Sequence, residues 1–298
     1  MDSTLQARLK CPRPFKAAGG KTWLVQSRIS AVWKNTNNEH RRLFDPFVGG
    51  GALPLLVQPS NCLVADANPY LIHAYRWLQS GANRQIPYSH EESDYYDFRH
   101  TFNAKRDSAD HAWLGEAFFL LNRSCHRGLW RVNSSGEFNV PWGHYKSFPT
   151  INLNHYSEIV KGWKILSSGY IETINDHLQD DDFLFLDPPY DETFDHYITT
   201  RFCWEDHRTL AAIAGQHPGP AIICNSPTKR VIELYERAGL TVEIIDKGGQ
   251  CMQAGKPGAK KKVSEIFAYN RNVQPERSHD HLISTLAQGP PRGEVGRR

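Results

Sequence analysis

Short apolar runs recur along the chain, and each closes on a polar residue. Leu43-Phe44 precedes Asp45, Cys62-Leu63-Val64-Ala65 precedes Asp66, Phe183-Leu184-Phe185-Leu186 precedes Asp187, and Ala221-Ile222-Ile223-Cys224 precedes Asn225. Runs of this kind predict strands buried on both faces, as in parallel sheets, where ligands gather at the carboxyl ends. Helical periodicity fills the intervals. Leu71, Tyr75 and Leu78 share one helical face, as do Trp113, Ala117 and Leu121, and then Val231, Leu234, Tyr235 and Ala238, with Gly239 placed to end the last helix. Strict alternation in Thr241-Val242-Glu243-Ile244-Ile245 and Val263-Ser264-Glu265-Ile266-Phe267 predicts two closing strands. A Gly/Lys-rich loop from Gly248 to Lys262 joins them, and together they form an antiparallel edge. Strands alternating with helices define an α/β fold with a mostly parallel sheet.

From about Ser80 to Ser168 the short apolar runs stop, and the chain turns aromatic, polar and helical, then loop-rich. This reads as a second lobe, residues 80–168, inserted between two halves of a core at 12–79 and 169–271. Within it Leu129-Trp130-Arg131-Val132 and Glu137-Phe138-Asn139-Val140 flank Asn133-Ser134-Ser135-Gly136, a hairpin signal. The tail 272–298 is rich in Pro, Gly, Ser and charge and is expected to be disordered.

At 298 residues, 40% hydrophobic, 22% charged and with a mean hydropathy of −0.55, the chain has an ordinary globular composition. It lacks an apolar run long enough to span a bilayer, and its start lacks a secretory signal, so a cytoplasmic location is expected. Six cysteines without a C-x-x-C pair, and histidines without ligand spacing outside His279-Asp280-His281, argue against disulfides and a metal site. The formal charge of +3 hides segregation. Residues 1–38 carry seven bases against Asp2, and residues 246–262 set Lys247, Lys256, Lys260, Lys261 and Lys262 against Asp246, while residues 165–200 carry nine acids and no Lys or Arg. Converging basic segments could track a polyanion, and the acidic one could line a site for a cation; dispersed surface charge explains the pattern equally well.

The sharpest chemical signal is Asp187-Pro188-Pro189-Tyr190 at the end of a strand. An acid held by two prolines and followed by an aromatic can grip a planar amino-bearing ring. Asp187 and the Pro188 carbonyl each accept one N–H, and Tyr190 stacks on the ring. The nitrogen lone pair, released from ring conjugation, can then attack an electrophile in line. The bland alternative is a tight turn with an incidental aspartate. A second signal is Asp45-Pro46-Phe47-Val48-Gly49-Gly50-Gly51, followed by Asp66 at the next strand end, placed to take a ribose diol. It suits any adenosine cofactor or a turn shaped only by packing, but the dinucleotide fingerprint G-x-G-x-x-G is not met. Gly19-Gly20-Lys21 lacks the P-loop pattern and, alone, reads as a surface turn.

Taken together, Pro14 to Lys21, the turn from Phe47 to Gly51, Asp66, the stretch from Leu121-Asn122-Arg123 through Gly128-Leu129 to Gly136-Glu137-Phe138-Asn139-Val140-Pro141, and Asp187 to Tyr190 resemble the Dam-like, D12-class (alpha-group) DNA adenine-N6 methyltransferases, in the family's order. The resemblance implies a Rossmann-like core that binds S-adenosylmethionine, a helical and β-hairpin target-recognition lobe, and an adenine flipped out of double-stranded DNA as substrate. It assigns Asp187, Pro188, Pro189 and Tyr190 to catalysis, and Ala17, Gly19, Lys21, Phe47, Gly49, Gly51, Asp66 and Asp187 to the cofactor. Lys16, His126, Arg127, Leu129, Arg131, Asn139 and Pro141 fall to DNA. Ala17 stands where the family has an aromatic, and His126-Arg127 where it has an aromatic-Asn pair. Lys16, Leu129, Arg131 and Pro141 match the residues that read GATC in such enzymes.

The expected activity is therefore methylation of adenine N6, with GATC as the target. Cytosine C5 chemistry would need a Pro-Cys nucleophile, and Cys11-Pro12 has the wrong order. Cytosine N4, an RNA base, or a catalytically silent DNA-binding regulator on the same scaffold remain alternatives. A restriction endonuclease acting on the same site is a candidate functional partner without a stable complex, and no membrane partner is expected.

Overall fold

A computed structural model describes residues 12–17, 21–24, 28–36, 41–89, 91–148, 150–191, 202–252 and 260–273, with only the backbone path given for 247–252 and 260–263. The strands are β1 (Leu43–Asp45), β2 (Cys62–Asp66), β3 (Lys164–Ser167), β4 (Phe183–Leu186), β5 (Ala221–Asn225), β6 (Thr241–Met252) and β7 (Lys260–Tyr269). They form one seven-stranded sheet in the order β3-β2-β1-β4-β5-β7-β6. The first five run parallel, and β7 pairs antiparallel with both β5 and β6. All four apolar runs are strands, and the mostly parallel α/β fold with an antiparallel edge is as expected.

Among the described residues the α-helices of four or more residues are α1 (Ser30–Asn35), α2 (Pro54–Val57), α3 (Pro69–Gln79), α4 (Glu92–Lys105), α5 (His111–Ser124), α6 (Leu153–Val160), α7 (Tyr170–His177), α8 (Trp204–Gln216) and α9 (Lys229–Arg237). Successive strand residues feed two cores, one on each side of the sheet. Leu43, Phe183 and Phe185 pack with α3 and α5, whereas Phe44, Leu184 and Leu186 pack with α8 and α9. Each such buried side chain contributes roughly 1.5–3 kcal/mol. Local chemistry sets helix ends: the Asn68 side chain accepts from Tyr70 N and Leu71 N ahead of Pro69, which stands in the first turn of α3. At the end of α9, Gly239 has φ +80° and donates to Glu236 O, while Leu240 donates to Tyr235 O, a Schellman ending. None of the described helices is long and apolar enough to cross a membrane.

Four expectations need adjustment. Lys164–Ser167, inside the segment assigned to the insertion, is an edge strand paired with β2. Much of the Gly248–Lys262 loop is strand, with Met252 paired to Lys260 and Gln250 to Lys262. The Asn133–Gly136 hairpin holds only one bridge, Val132 to Phe138, with Asn133 N donating to Glu137 O. The tail is anchored at its start: Val273 is 4% exposed and the Asn272 side chain donates to Pro218 O. The rest of the tail, with His279-Asp280-His281, lies outside the described residues, as does Gly19.

Candidate active site

The sheet order sets the ends of β2, β1, β4 and β5 side by side, so Asp66, Asp45, Asp187 and Asn225 line one rim. Asp45, 1% exposed, accepts from Phe47 N at 3.1 Å, which starts the turn out of β1. Burial holds its carboxyl well above the ordinary range, helped by the nearby charges of Asp187 and Asp66. Asp66 accepts from Gly49 N at 3.1 Å and Asn68 N at 2.9 Å; burial raises its carboxyl although both bonds oppose the shift.

The glycine turn serves packing as well as any ligand. Gly51 has φ +67°, and a Cβ there would lie 2.6 Å from Tyr75 Oη, whose hydroxyl donates to Gly49 O at 3.0 Å. Gly49 has φ +45°, and a Cβ there would meet Phe47 O at 3.8 Å and Ala17 Cβ at 3.9 Å, ordinary contacts, so its backbone angle and not crowding favours glycine. Exposed Ala17 stands against Gly50, which brings the N-terminal segment to the turn. Phe47 stacks on Tyr170 with centroids 5.3 Å apart.

Asp187 meets Lys21, whose Nζ is 3.2 Å from Asp187 Oδ1 and 3.9 Å from Glu265 Oε2, with the lysine 3% exposed. The same ammonium stands 4.3 Å above the Tyr190 ring, and Tyr190 Oη donates to Glu265 Oε2 at 3.2 Å. Asp187 Oδ1 is buried against the Lys21 ammonium, which satisfies it as an ion-pair partner, and the Tyr190 hydroxyl also favours the ionised carboxyl. Burial lifts the Asp187 carboxyl against the pull of Lys21; burial disfavours the Lys21 ammonium, but Asp187 and Glu265 more than offset this and hold it above the ordinary lysine value. The ammonium therefore stays charged, while the carboxyl takes a proton sooner than an exposed aspartate.

A second layer of contacts fixes the segment after Tyr190. Asn225 Oδ1 accepts from Asp191 N at 3.1 Å and Ser226 N at 2.8 Å, and its Nδ2 donates to Tyr235 Oη. Asp191 accepts from Thr228 Oγ1 and from the Arg230 guanidinium, which lies over the Trp204 ring. Burial opposes the Asp191 charge, but Arg230 and Thr228 keep its carboxyl below the usual value.

The residues expected on DNA gather around the end of α5 and the loop that follows it, within the insertion. Lys16 Nζ donates to Arg123 O at 2.9 Å and sits 3.5 Å over the Tyr145 ring; Asn122 bridges Lys16 to Gly128 O. Burial and then Arg123 lower the Lys16 ammonium to about 8. His126 and Arg127 are exposed, Arg127 with φ +57°, and His126 N donates to Pro141 O. Leu129 is half-buried, and Pro141 is exposed. Exposed Arg131 does not pair with Glu137; its Nε donates to Asn139 Oδ1 at 2.7 Å across the hairpin.

Motif reading missed Glu265, Asn225's network and the Asp191–Arg230 pair. Glu265 lay in an alternating strand pattern, and only the pairing of β7 beside β5 brings it to Tyr190. The polar ending of β5 at Asn225 was the one available signal for the network.

A family profile for D12 class N6 adenine-specific DNA methyltransferases matches residues 18–250. Among relatives, a retron Ec67 DNA adenine methylase of Escherichia coli is 34% identical over 234 residues, covering 74% of this chain and 79% of the relative. DNA adenine methylase of Escherichia coli K12 is 32% identical over 244 residues (76% and 85%), and that of Vibrio cholerae serotype O1 is 32% identical over 280 residues (87% and 96%). With this rim of strand-end carboxylates and its Asp-Pro-Pro-Tyr segment, the chain belongs to the D12 class of N6 adenine-specific DNA methyltransferases.

Proposed function

We propose that the enzyme transfers a methyl group from S-adenosylmethionine to N6 of an adenine flipped out of double-stranded DNA, with GATC as its target. The observation that carries this reading is the strand-end Asp187 carboxylate, held by Lys21, with the Tyr190 ring under the same ammonium. The same rim fits the cofactor in charge, because the carboxylates of Asp187 and Glu265 flank the single ammonium of Lys21, leaving a surplus of negative charge suited to a sulfonium. When bound, S-adenosylmethionine supplies an electrophilic methyl group.

The chain's own residues do the positioning. Asp66 accepts from the ribose hydroxyls, and Lys21, the turn at Phe47, Gly49 and Gly51, and the Ala17–Gly19 segment hold the rest of the cofactor. Asp187 and the Pro188 carbonyl each accept a hydrogen bond from one N6–H, Pro189 stiffens the turn, and Tyr190 offsets the stacking lost by the flipped base. Residues 80–168 form the target-recognition lobe apart from β3. There Lys16 and Arg131 donate to guanine O6 and N7, Leu129 and Pro141 touch thymine methyls, Asn139 orients Arg131, and His126-Arg127 work where the strand opens. An endonuclease cutting the same site would meet this enzyme only through the methylation state of the DNA; a relative from Methanocaldococcus jannaschii is named a type II methyltransferase. Transfer of labelled methyl to duplexes differing in one site tests all of this. Label in adenine of the GATC duplex alone is the expected result, and equal label with and without GATC overturns the target.

A further inference from the structure

We infer that the β6–β7 hairpin is an arm that holds the DNA backbone on the side of the active site away from the recognition lobe; the inference rests on the DNA reading above. Its direction follows from register. Ile222 of β5 pairs with Tyr269 and Asn225 with Ile266, antiparallel, so residues 260–265 of β7 continue past the carboxyl end of β5, on the rim where Asp187 ends β4. Glu265, the first of them, touches Lys21 and Tyr190, which independently places the base of the arm at the site. From Ile266 to Lys260 the backbone covers roughly 20 Å, and β6 accompanies it out to Met252.

Charge gives the arm its partner. Lys260, Lys261 and Lys262 occupy consecutive positions opposite Met252, Cys251 and Gln250, and Lys247 precedes Gly248-Gly249 where the pairing shifts between Asp246 and Gln250. Irregularities of this kind bend a strand pair, and two glycines there let the arm adapt to a curved surface. The sheet order puts β7 and β6 on the β5 side of β4, whereas the recognition lobe's helix α5 packs on α3, which follows β2. A duplex offering its base to Asp187 thus lies between lobe and arm. At about 3.4 Å per nucleotide along a strand, the arm reaches phosphates about six positions from the flipped base. Its contacts are to phosphate and carry no sequence information.

The test compares the full-length enzyme with its K260Q/K261Q/K262Q and K260R/K261R/K262R variants in binding mixed-sequence duplexes of about 12 and about 30 base pairs across a salt series. The wild type and the Arg variant gain affinity with duplex length; the Gln variant loses that gain, and its log-log salt slope on the long duplex falls by about 2 to 3. An unchanged slope and length gain in the Gln variant overturns the arm. A wild type that binds neither duplex overturns the DNA reading itself, a separable outcome.

Discussion

The proposed chemistry asks Asp187 to accept hydrogen bonds as an anion in a place that burial makes unfavourable for one. Its raised carboxyl moves the acid limb of activity: methylation falls as pH drops through that raised value, at a higher pH than an exposed aspartate would set. Asp187→Asn and Asp187→Ala should reduce single-turnover methylation to a small fraction of wild type, with far-UV circular dichroism unchanged; a variant keeping most of the rate refutes the assigned role. Tyr190 separates into ring and hydroxyl. Removing the ring in Tyr190→Ala should cost roughly 1–3 kcal/mol through lost stacking, while Tyr190→Phe removes the hydroxyl and its bond to Glu265, about 0.5–1.5 kcal/mol. If Glu265 acts through that hydroxyl, Glu265→Gln has a smaller effect in the Phe background than in the wild type, read as non-additive changes in kcat. Lys16 offers a pH signature of its own. With its ammonium at about 8, DNA association should weaken as pH rises through that value, and Lys16→Arg should abolish the dependence.

Among elements, the glycine turn and the hairpin behave differently. Gly51→Ala must take φ +67° and push Tyr75 aside, so the loss should exceed about 1–2 kcal/mol, measured as a lowered Tm and denaturant midpoint. Arg131→Ala should relax discrimination at one guanine by roughly 1–3 kcal/mol, without weakening all duplexes equally; uniform weakening would make it a phosphate contact. The central strands and the Asp-Pro-Pro-Tyr segment were legible in the sequence because strands buried on both faces need unbroken apolar runs. Lys164–Ser167 was not, since an edge strand with only Ile165 fully buried has no such run. Nor could the length of β6 and β7 be read, because glycines and lysines in a two-stranded arm lack apolar periodicity. Glu265 stayed hidden for a third reason: its partners lie far away in sequence, and only strand pairing joins them.

At the level of the whole molecule, β4 stands at the centre of the sheet, with the inserted helical segment packed on one half and the β6–β7 hairpin on the other. β1 pairs with β4 from residues about 140 positions later, Leu43 with Phe183. The last strand, β7, carries the group that anchors both Lys21 and Tyr190. Such long-range pairing is slow to form, and this order of strands makes assembly asymmetric in time. A chain emerging from the ribosome presents Asp187 and Tyr190 well before Glu265 can reach them. Competence for chemistry should therefore appear last on refolding, after tryptophan fluorescence has recovered, and be missing from chains halted before residue 260. A nascent enzyme tethered near DNA would be silent until its final strand is in place.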